Sequence, residues 1–152
     1  MSTDLLNFDV SLRRAICGFI VRNGRAPLSY ELAAELSASD AQILAGYRRL
    51  YARRLLVLNS DGQSIRMAPP FSGVPTPHRV HVDGTSYFAN CAWDSFGIPA
   101  ALHREATVES RCAQTGDPLT LRCGLDGPVP VQGWVFHVAV PAAHWWRDIV
   151  YT

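Results

Sequence analysis

Arg79-Val80-His81-Val82-Asp83-Gly84-Thr85-Ser86-Tyr87-Phe88-Ala89-Asn90-Cys91-Ala92-Trp93-Asp94-Ser95-Phe96-Gly97-Ile98-Pro99 is the stretch on which the fold of this chain turns. Arg79 to Val82 reads as a strand closed by Asp83-Gly84, and Ser86 to Phe96 has helical composition until Gly97 and Pro99 stop it. Downstream, Ala106 to Cys112, Leu119 to Cys123 and Trp134 to Val140 have strand character, with glycine- and proline-bearing turns between them. A short last helix is expected near Ala142. The second half is therefore predicted to be an α+β unit, a small and mostly antiparallel sheet with one helix that carries Cys91 and Asp94.

Upstream the pattern changes. Leu12, Ala15, Ile16, Phe19 and Ile20 recur at helical spacing, and Gly24 and Pro27 end that helix. Ser29 reads as the N-cap of a short helix through Leu36, and Ser39 or Asp40 caps a third helix that runs to about Arg54. Leu55 to Leu58 and Ser64 to Met67 read as strands joined by the tight turn Asp61-Gly62. Three helices and a two-stranded wing predict a winged-helix-like domain over residues 1–68. Residues 69–78, with Pro69, Pro70, Pro75 and Pro77, are too rich in proline for regular structure and read as a linker. The unit carrying Cys91 then covers 79–152.

A winged helix invites a nucleic-acid reading, because Arg48, Arg49, Arg53 and Arg54 lie on the third helix. The competing reading is a solvated arginine face on a structural module. With 14 basic against 13 acidic residues the formal charge is only +1, which argues against a polyanion as main partner, so DNA is not expected. The composition, 48% hydrophobic and 18% charged, excludes disorder and fibrous repeats. No apolar stretch approaches the roughly 18 residues that span a bilayer, and Met1-Ser2-Thr3-Asp4 does not resemble a secretion signal. No membrane association and a cytoplasmic address are expected.

The four cysteines, Cys17, Cys91, Cys112 and Cys123, form no Cys-x-x-Cys pair and no zinc spacing, so free thiols are expected. On a helix, Cys91 and Asp94 are i and i+3 and project from one face. A thiolate selects soft metals such as mercury or copper(I), and a carboxyl group beside it can carry a proton or complete a coordination shell. The pair alone also fits a plainer reading, in which Cys91 is a small buried hydrophobe and Asp94 faces water. Cys17 is expected to pack against Ile16 and Ile20, and Cys123 to pack or pair across strands beside Cys112. His78, His81 and His103 have no convincing partner for a zinc site. His137 and His144, with Trp134, Trp145 and Trp146, read as core and interface residues.

The surrounding sequence decides between these readings. Tyr87-Phe88-Ala89-Asn90-Cys91-Ala92-Trp93-Asp94-Ser95-Phe96-Gly97-Ile98-Pro99-Ala100, followed by Ala106-Thr107-Val108-Glu109-Ser110-Arg111-Cys112-Ala113-Gln114-Thr115-Gly116-Asp117-Pro118, resembles the core of the alkylmercury (organomercurial) lyases. The first run matches that family's Cys-Ala-x-Asp segment and Pro-Ala end, and the second its Ser-x-Cys-Ala-x-Thr-Gly segment. The resemblance weakens over the first seventy residues, where the family also has a winged-helix-like domain.

By this resemblance Cys91 matches the first catalytic cysteine and mercury ligand, Asp94 the catalytic aspartate and metal neighbour, and Cys112 a cysteine of structural role. The implied reaction is protonolysis of a carbon–mercury bond, giving a hydrocarbon and Hg(II), with no cofactor. The implied partners are organomercurials, cellular thiols, and a mercuric reductase that accepts Hg(II). Family members use a second active-site cysteine further along, whereas this sequence stops at Thr152, so a single-thiolate chemistry is expected to be slow. The rival readings are a noncatalytic thiolate protein that binds or senses metal, and a winged-helix transcriptional regulator.

Overall fold

The computed structural model describes residues 3–129, 133–138 and 140–150. Helix α1 (Thr3–Asn23) buries Leu12, Ala15, Ile16 and Ile20 on one stripe. It ends at Gly24, whose φ is +67°. A Cβ at that position would lie 2.9 Å from the Ser86 carbonyl oxygen, so the left-handed turn and the close approach to the distal half both require glycine. Helix α2 (Ser29–Leu36) starts one residue earlier than expected: Leu28 occupies the N-cap, and the Glu31 carboxylate accepts its backbone N–H at 2.8 Å. Helix α3 (Asp40–Ala52) is capped by Ser39, whose hydroxyl accepts the Gln42 amide at 3.2 Å while Gln42 reaches back to the Ser39 N–H at 2.8 Å. That reciprocal box satisfies two amides that the helix cannot.

Strands β1 (Val57–Leu58), β2 (Ile65–Ala68) and β3 (Phe71–Ser72) form an antiparallel sheet in that order. The Asp61 carboxylate fixes the β1–β2 turn by accepting the Gln63 and Ser64 amides at 2.8 and 2.9 Å. Strand β3 corrects the expectation that the proline-rich run carries no regular structure. Phe71 and Ser72 keep their own backbone N–H groups, and Phe71 pairs with Ala68 on one side and bridges to Ala89 on the other. Its ring is buried against Tyr87, with centroids 5.4 Å apart.

The second sheet contains β4 (Arg79–Val82), β5 (Thr85–Phe88), β6 (Ala106–Arg111), β7 (Pro118–Gly124) and β8 (Gly127–Val129), in the order β5-β4-β6-β7-β8. All its pairings are antiparallel. The helix expected over Ser86–Phe96 is not formed in that place. Asp83 and Gly84 both have positive φ, 47° and 82°, which makes a two-residue hairpin and returns Thr85–Phe88 as a strand. Helix α4 (Ala92–Leu102) begins only after this strand and runs through Gly97 and Pro99. At Gly97 a Cβ would meet that of Pro70 at 3.3 Å, so glycine here serves close packing. Pro99 falls in the last turns and removes one helical hydrogen bond; the helix ends at His103, with φ of 51°.

The strand expected over Trp134–Val140 is also absent: residues 134–138 and 140 form none, and Ala139 lies outside the described residues. Phe136 packs instead on Trp93 of α4, with centroids 5.7 Å apart. The short helix near Ala142 is present as a 3-10 turn over Ala142–Arg147.

One hydrophobic core joins both halves, running from Leu12, Ile16 and Tyr47 to Val80, Ile98 and Val108. Two hydrogen bonds cross with it: Tyr87 Oη donates to the Val21 carbonyl at 2.9 Å, and Arg13 donates to the Pro69 carbonyl at 2.6 Å. Among the described residues no helix is long and apolar enough to cross a membrane.

Asp9 is 1% exposed, and its carboxylate accepts from Arg49 Nη2 at 2.7 Å and from Nε at 3.0 and 3.1 Å. This pair ties α1 to α3. Asp9→Ala should cost about 2–3 kcal/mol, below the range for fully buried pairs because the Arg49 side chain keeps some water contact. Urea unfolding of the variant checks the value.

Candidate active site

The register of the second sheet builds the site. Residue 78 stands opposite both neighbours at its end of β4, because Arg79 pairs with Phe88 on one side and with Glu109 on the other. The His78 carbonyl accepts the Ala89 amide at 2.9 Å, and His78 Nδ1 is 2.8 Å from Ser110 Oγ. Side chains alternate across a strand, so Val82, Val80 and His78 share a face with Ala106, Val108 and Ser110. Most of that face is buried apolar surface. At its end it turns polar, with His78 and Ser110, and Cys91 and Cys112 follow two residues beyond Ala89 and Ser110.

Cys91 is the N-cap of α4, in extended conformation with φ −150° and ψ 178°. Asp94 lies three residues on, in the first turn. The two meet as the sequence spacing anticipated, at the mouth of a helix rather than along its side. Asn90 supports the carboxylate: its Nδ2 donates to Asp94 Oδ2 at 2.8 Å and lies 3.3 Å from the Pro70 carbonyl. Its Oδ1 is buried and has no hydrogen-bond partner among the described residues. Ser95, 1% exposed, donates to the Ala92 carbonyl at 2.6 Å and closes the turn from below.

In front of Cys91 opens a cavity of about 750 Å³. Its polar wall is His78, Ser110, Cys112 and Gln114, and its apolar wall is Trp93, Phe96, Leu119, Leu121, Trp134 and Phe136. Asp94 does not line the cavity; it reaches it through Cys91. Asp94 is neither buried nor fully exposed, and Cys91 is half-buried.

Burial pushes the Cys91 thiol above its ordinary value, against the amides of Asp94 and Trp93 at the helix N-terminus, which pull it down. The nearby Asp94 carboxylate pushes in the same direction as burial. Burial also raises the Asp94 pKa, and hydrogen bonds from Asn90 and Cys91 oppose the shift. The pair thus fits a thiol that donates to a carboxylate. Cys112 behaves oppositely: the Thr115 hydroxyl and the amides of Thr115 and Gln114 hold its thiol below the ordinary value.

Other expectations separate. Cys17 lies half-buried on α1, where it contacts Arg13. Cys123 is buried in the core but is not beside Cys112. It pairs with Ala106 and Pro128, whereas Cys112 sits at the far end of the same hairpin, where its amide donates to Asp117 O at 2.9 Å. His81 bonds Ser86 Oγ at 2.7 Å and lies 3.3 Å from Glu109, and His103 caps α4. Trp134 and His137 are exposed at the cavity rather than in the core, because no strand forms there to bury them. His78 and Ser110 were missed as members of the site. Strand parity counted back from Cys112 and across from Ala89 would have found them.

The chain that carries this site is similar in sequence and in fold to known proteins. The sequence model described as alkylmercury lyase matches residues 71–152, more than half of the chain, and the chain belongs to that family. It is 41% identical over 59 residues to the alkylmercury lyase of Bacillus cereus, a match that covers 39% of this chain and 27% of that protein. It is 47% identical over 47 residues to the alkylmercury lyase of Streptomyces lividans, covering 31% of this chain and 22% of that one. The matched segments thus span about a quarter of the length of these relatives. The fold is similar to a solved structure described as the mercury-bound form of MerB2, with a TM-score of 0.60 and 25% identity over 84% of this chain and 66% of that one.

Two measurements probe the site's electrostatics. Alkylation followed by peptide mapping should modify Cys112 at lower pH than Cys91, since their shifts run in opposite directions. Asp94, whose folded-state pKa is raised, weakens the fold once it is ionised. Asp94→Asn should therefore raise the melting temperature at pH 7, and the gain should vanish below about pH 3, under the ordinary aspartate value, where the carboxyl is protonated folded or unfolded.

Proposed function

We propose that this chain cleaves carbon–mercury bonds by protonolysis, with Cys91 as nucleophile and mercury ligand and Asp94 as proton carrier. The observation that carries the reading is the Cys91 thiol on the wall of an apolar cavity with the Asp94 carboxyl behind it. An organomercury cation meets Cys91, the thiol proton passes to Asp94, and a mercury–sulfur bond forms. Soft thiolate prefers the metal far above oxygen or nitrogen donors. Asp94, its pKa raised by burial, then returns the proton to the carbon as the carbon–mercury bond breaks. A hydrocarbon leaves and Hg(II) stays on the sulfur. The apolar wall of Trp93, Phe96 and Phe136 receives the organic group.

In this reading Hg(II) is a product rather than a resident cofactor, cellular thiols remove it in the cytoplasm, and a mercuric reductase consumes it. The N-terminal helices and first sheet, winged-helix-like in layout, serve as scaffold for the site. A nucleic-acid role gains little from the arginines on and after α3, which ends at Ala52, so that Arg53 and Arg54 lie past the helix rather than on it. Arg49 is committed to Asp9, and the Arg54 guanidinium sits 5.8 Å from the Trp146 ring.

Incubation with phenylmercury and excess thiol, followed by gas chromatography for benzene, tests the proposal. The parent should release benzene, Cys91→Ser should release none and lose tight mercury binding, and Asp94→Ala should retain mercury while benzene release falls by about a hundredfold or more. Mercury held by the parent without any benzene would make the chain a binding protein instead.

A further inference from the structure

His78 and Ser110 line the cavity but take no part in the proton path between Cys91 and Asp94. In the row of Ala89, His78 and Ser110 across the sheet, Ala89 is fully buried, so the polar side chains begin with His78 Nδ1 and Ser110 Oγ, 2.8 Å apart. Two strand spacings, roughly 10 Å, separate Ala89 from Ser110, a span that fits one aromatic ring and a substituent. The histidine–serine pair cannot use up its own hydrogen-bonding groups. If the Ser110 hydroxyl donates to Nδ1, the imidazole carries its proton on Nε2; if Nδ1 donates, the hydroxyl hydrogen of Ser110 is left over. Either way one N–H or O–H remains to be given to a ligand. Burial holds the His78 pKa below its ordinary value, so at pH 7 the ring is neutral and one donor, not two, is left.

The remaining polar lining has the same bias. Gln114 adds a side-chain amide, and Arg111 borders the cavity with a guanidinium that donates to the Gly116 carbonyl at 3.2 Å. Among the described residues that line the cavity there is no aspartate or glutamate. Cys91 keeps its proton, and Asp94 stands behind it, outside the cavity. Donors and a cation on the polar wall, no fixed anion, and the aromatic wall of Trp93, Phe96 and Phe136 fit an aromatic ring that bears an anionic oxygen group.

Taking the cleavage proposed above as the reaction, we propose that His78 and Ser110 form a carboxylate subsite across the sheet from Cys91, which makes arylmercury carboxylates the substrates this chain selects. A carboxylate oxygen accepts from the pair, the ring lies against Trp93 and Phe136, and the mercury on the far side of the ring is brought to Cys91. No bond to the carboxylate is made or broken. The carbon–mercury bond breaks as the proton is delivered to carbon, so 4-mercuribenzoate yields benzoate where phenylmercury yields benzene.

Two measurements test this, one of them without mercury. Benzoate is titrated into the unmutated chain while the His78 ring is followed by NMR, with toluene as the uncharged control. A saturable shift of the His78 signal by benzoate and not by toluene is expected, and Ser110→Ala should weaken benzoate binding by about tenfold. No shift, or equal shifts with both compounds, overturns the subsite. In the second measurement, kcat/KM for 4-mercuribenzoate is divided by that for phenylmercury in the parent, in Ser110→Ala and in His78→Phe, so that any general loss of activity cancels. The parent should favour 4-mercuribenzoate by about tenfold or more, and both variants should bring the ratio near one. A parent ratio of one, or a ratio unchanged in both variants, overturns the inference and leaves the proposed function standing. Release of neither benzene nor benzoate overturns the proposed function instead, and the benzoate titration then decides the subsite by itself.

Discussion

Everything chemical in this chain depends on the antiparallel ladder around His78. Because β4 pairs with β5 on one side and β6 on the other, a single register sets Ala89, His78 and Ser110 in a row across the sheet. The chain leaves β5 through Asn90 and enters α4 at Cys91, and it leaves β6 into the turn at Cys112. Slipping either ladder by one residue would turn every side chain on that strand to the opposite face. The register is held by burial: Val80, Val108 and Leu121 stack on the core side of successive strands, each less than a tenth exposed.

Electrostatics at the site follow from that placement rather than from any unusual residue. Cys91 receives the favourable end of a helix dipole, yet burial wins and its thiol holds its proton more firmly than a free one. Asp94 is pushed the same way, with Asn90 acting as a brake. A sulfur that keeps its proton and a carboxyl that readily takes one are what the proposed proton transfer requires. At Cys112 the Thr115 hydroxyl and the amides of the turn pull the thiol the other way, below its ordinary value. Two thiols on one cavity are thus shifted in opposite directions by their surroundings.

Much of this was legible beforehand. The helical stripe of α1, the Ser39 cap, the Asp61-Gly62 turn and the alternation of β6 and β7 are local signals, and they specified local structure. The pairing of Cys91 with Asp94 was read from spacing and from resemblance. Errors came where one signal had two meanings. Asp83-Gly84 fits a strand end equally well, but two left-handed residues make it a hairpin, which puts the helix start at Ala92 rather than Ser86. Gly97 and Pro99 carry the local signal of a helix stop, yet the helix runs through both and Gly97 serves contact with Pro70. Phe71 was read as linker because its neighbours are prolines, and its burial against Tyr87 is a tertiary fact that no window of sequence contains. The cavity itself, assembled from His78, α4, β6, β7 and residues 133–138, is likewise out of reach of any one segment.

The seam between the two halves carries a consequence for how the site responds to heat and mutation. Asn90, which steadies the Asp94 carboxylate, also leans on the Pro70 carbonyl; the preceding carbonyl, of Pro69, is gripped by Arg13 from the middle of α1. A line of contacts therefore leads from the first helix to the acid behind the sulfur. Loosening the N-terminal helices would slacken that line before the sheet itself gives way, so the geometry of Cys91 and Asp94 should be lost at temperatures where most of the fold is still intact.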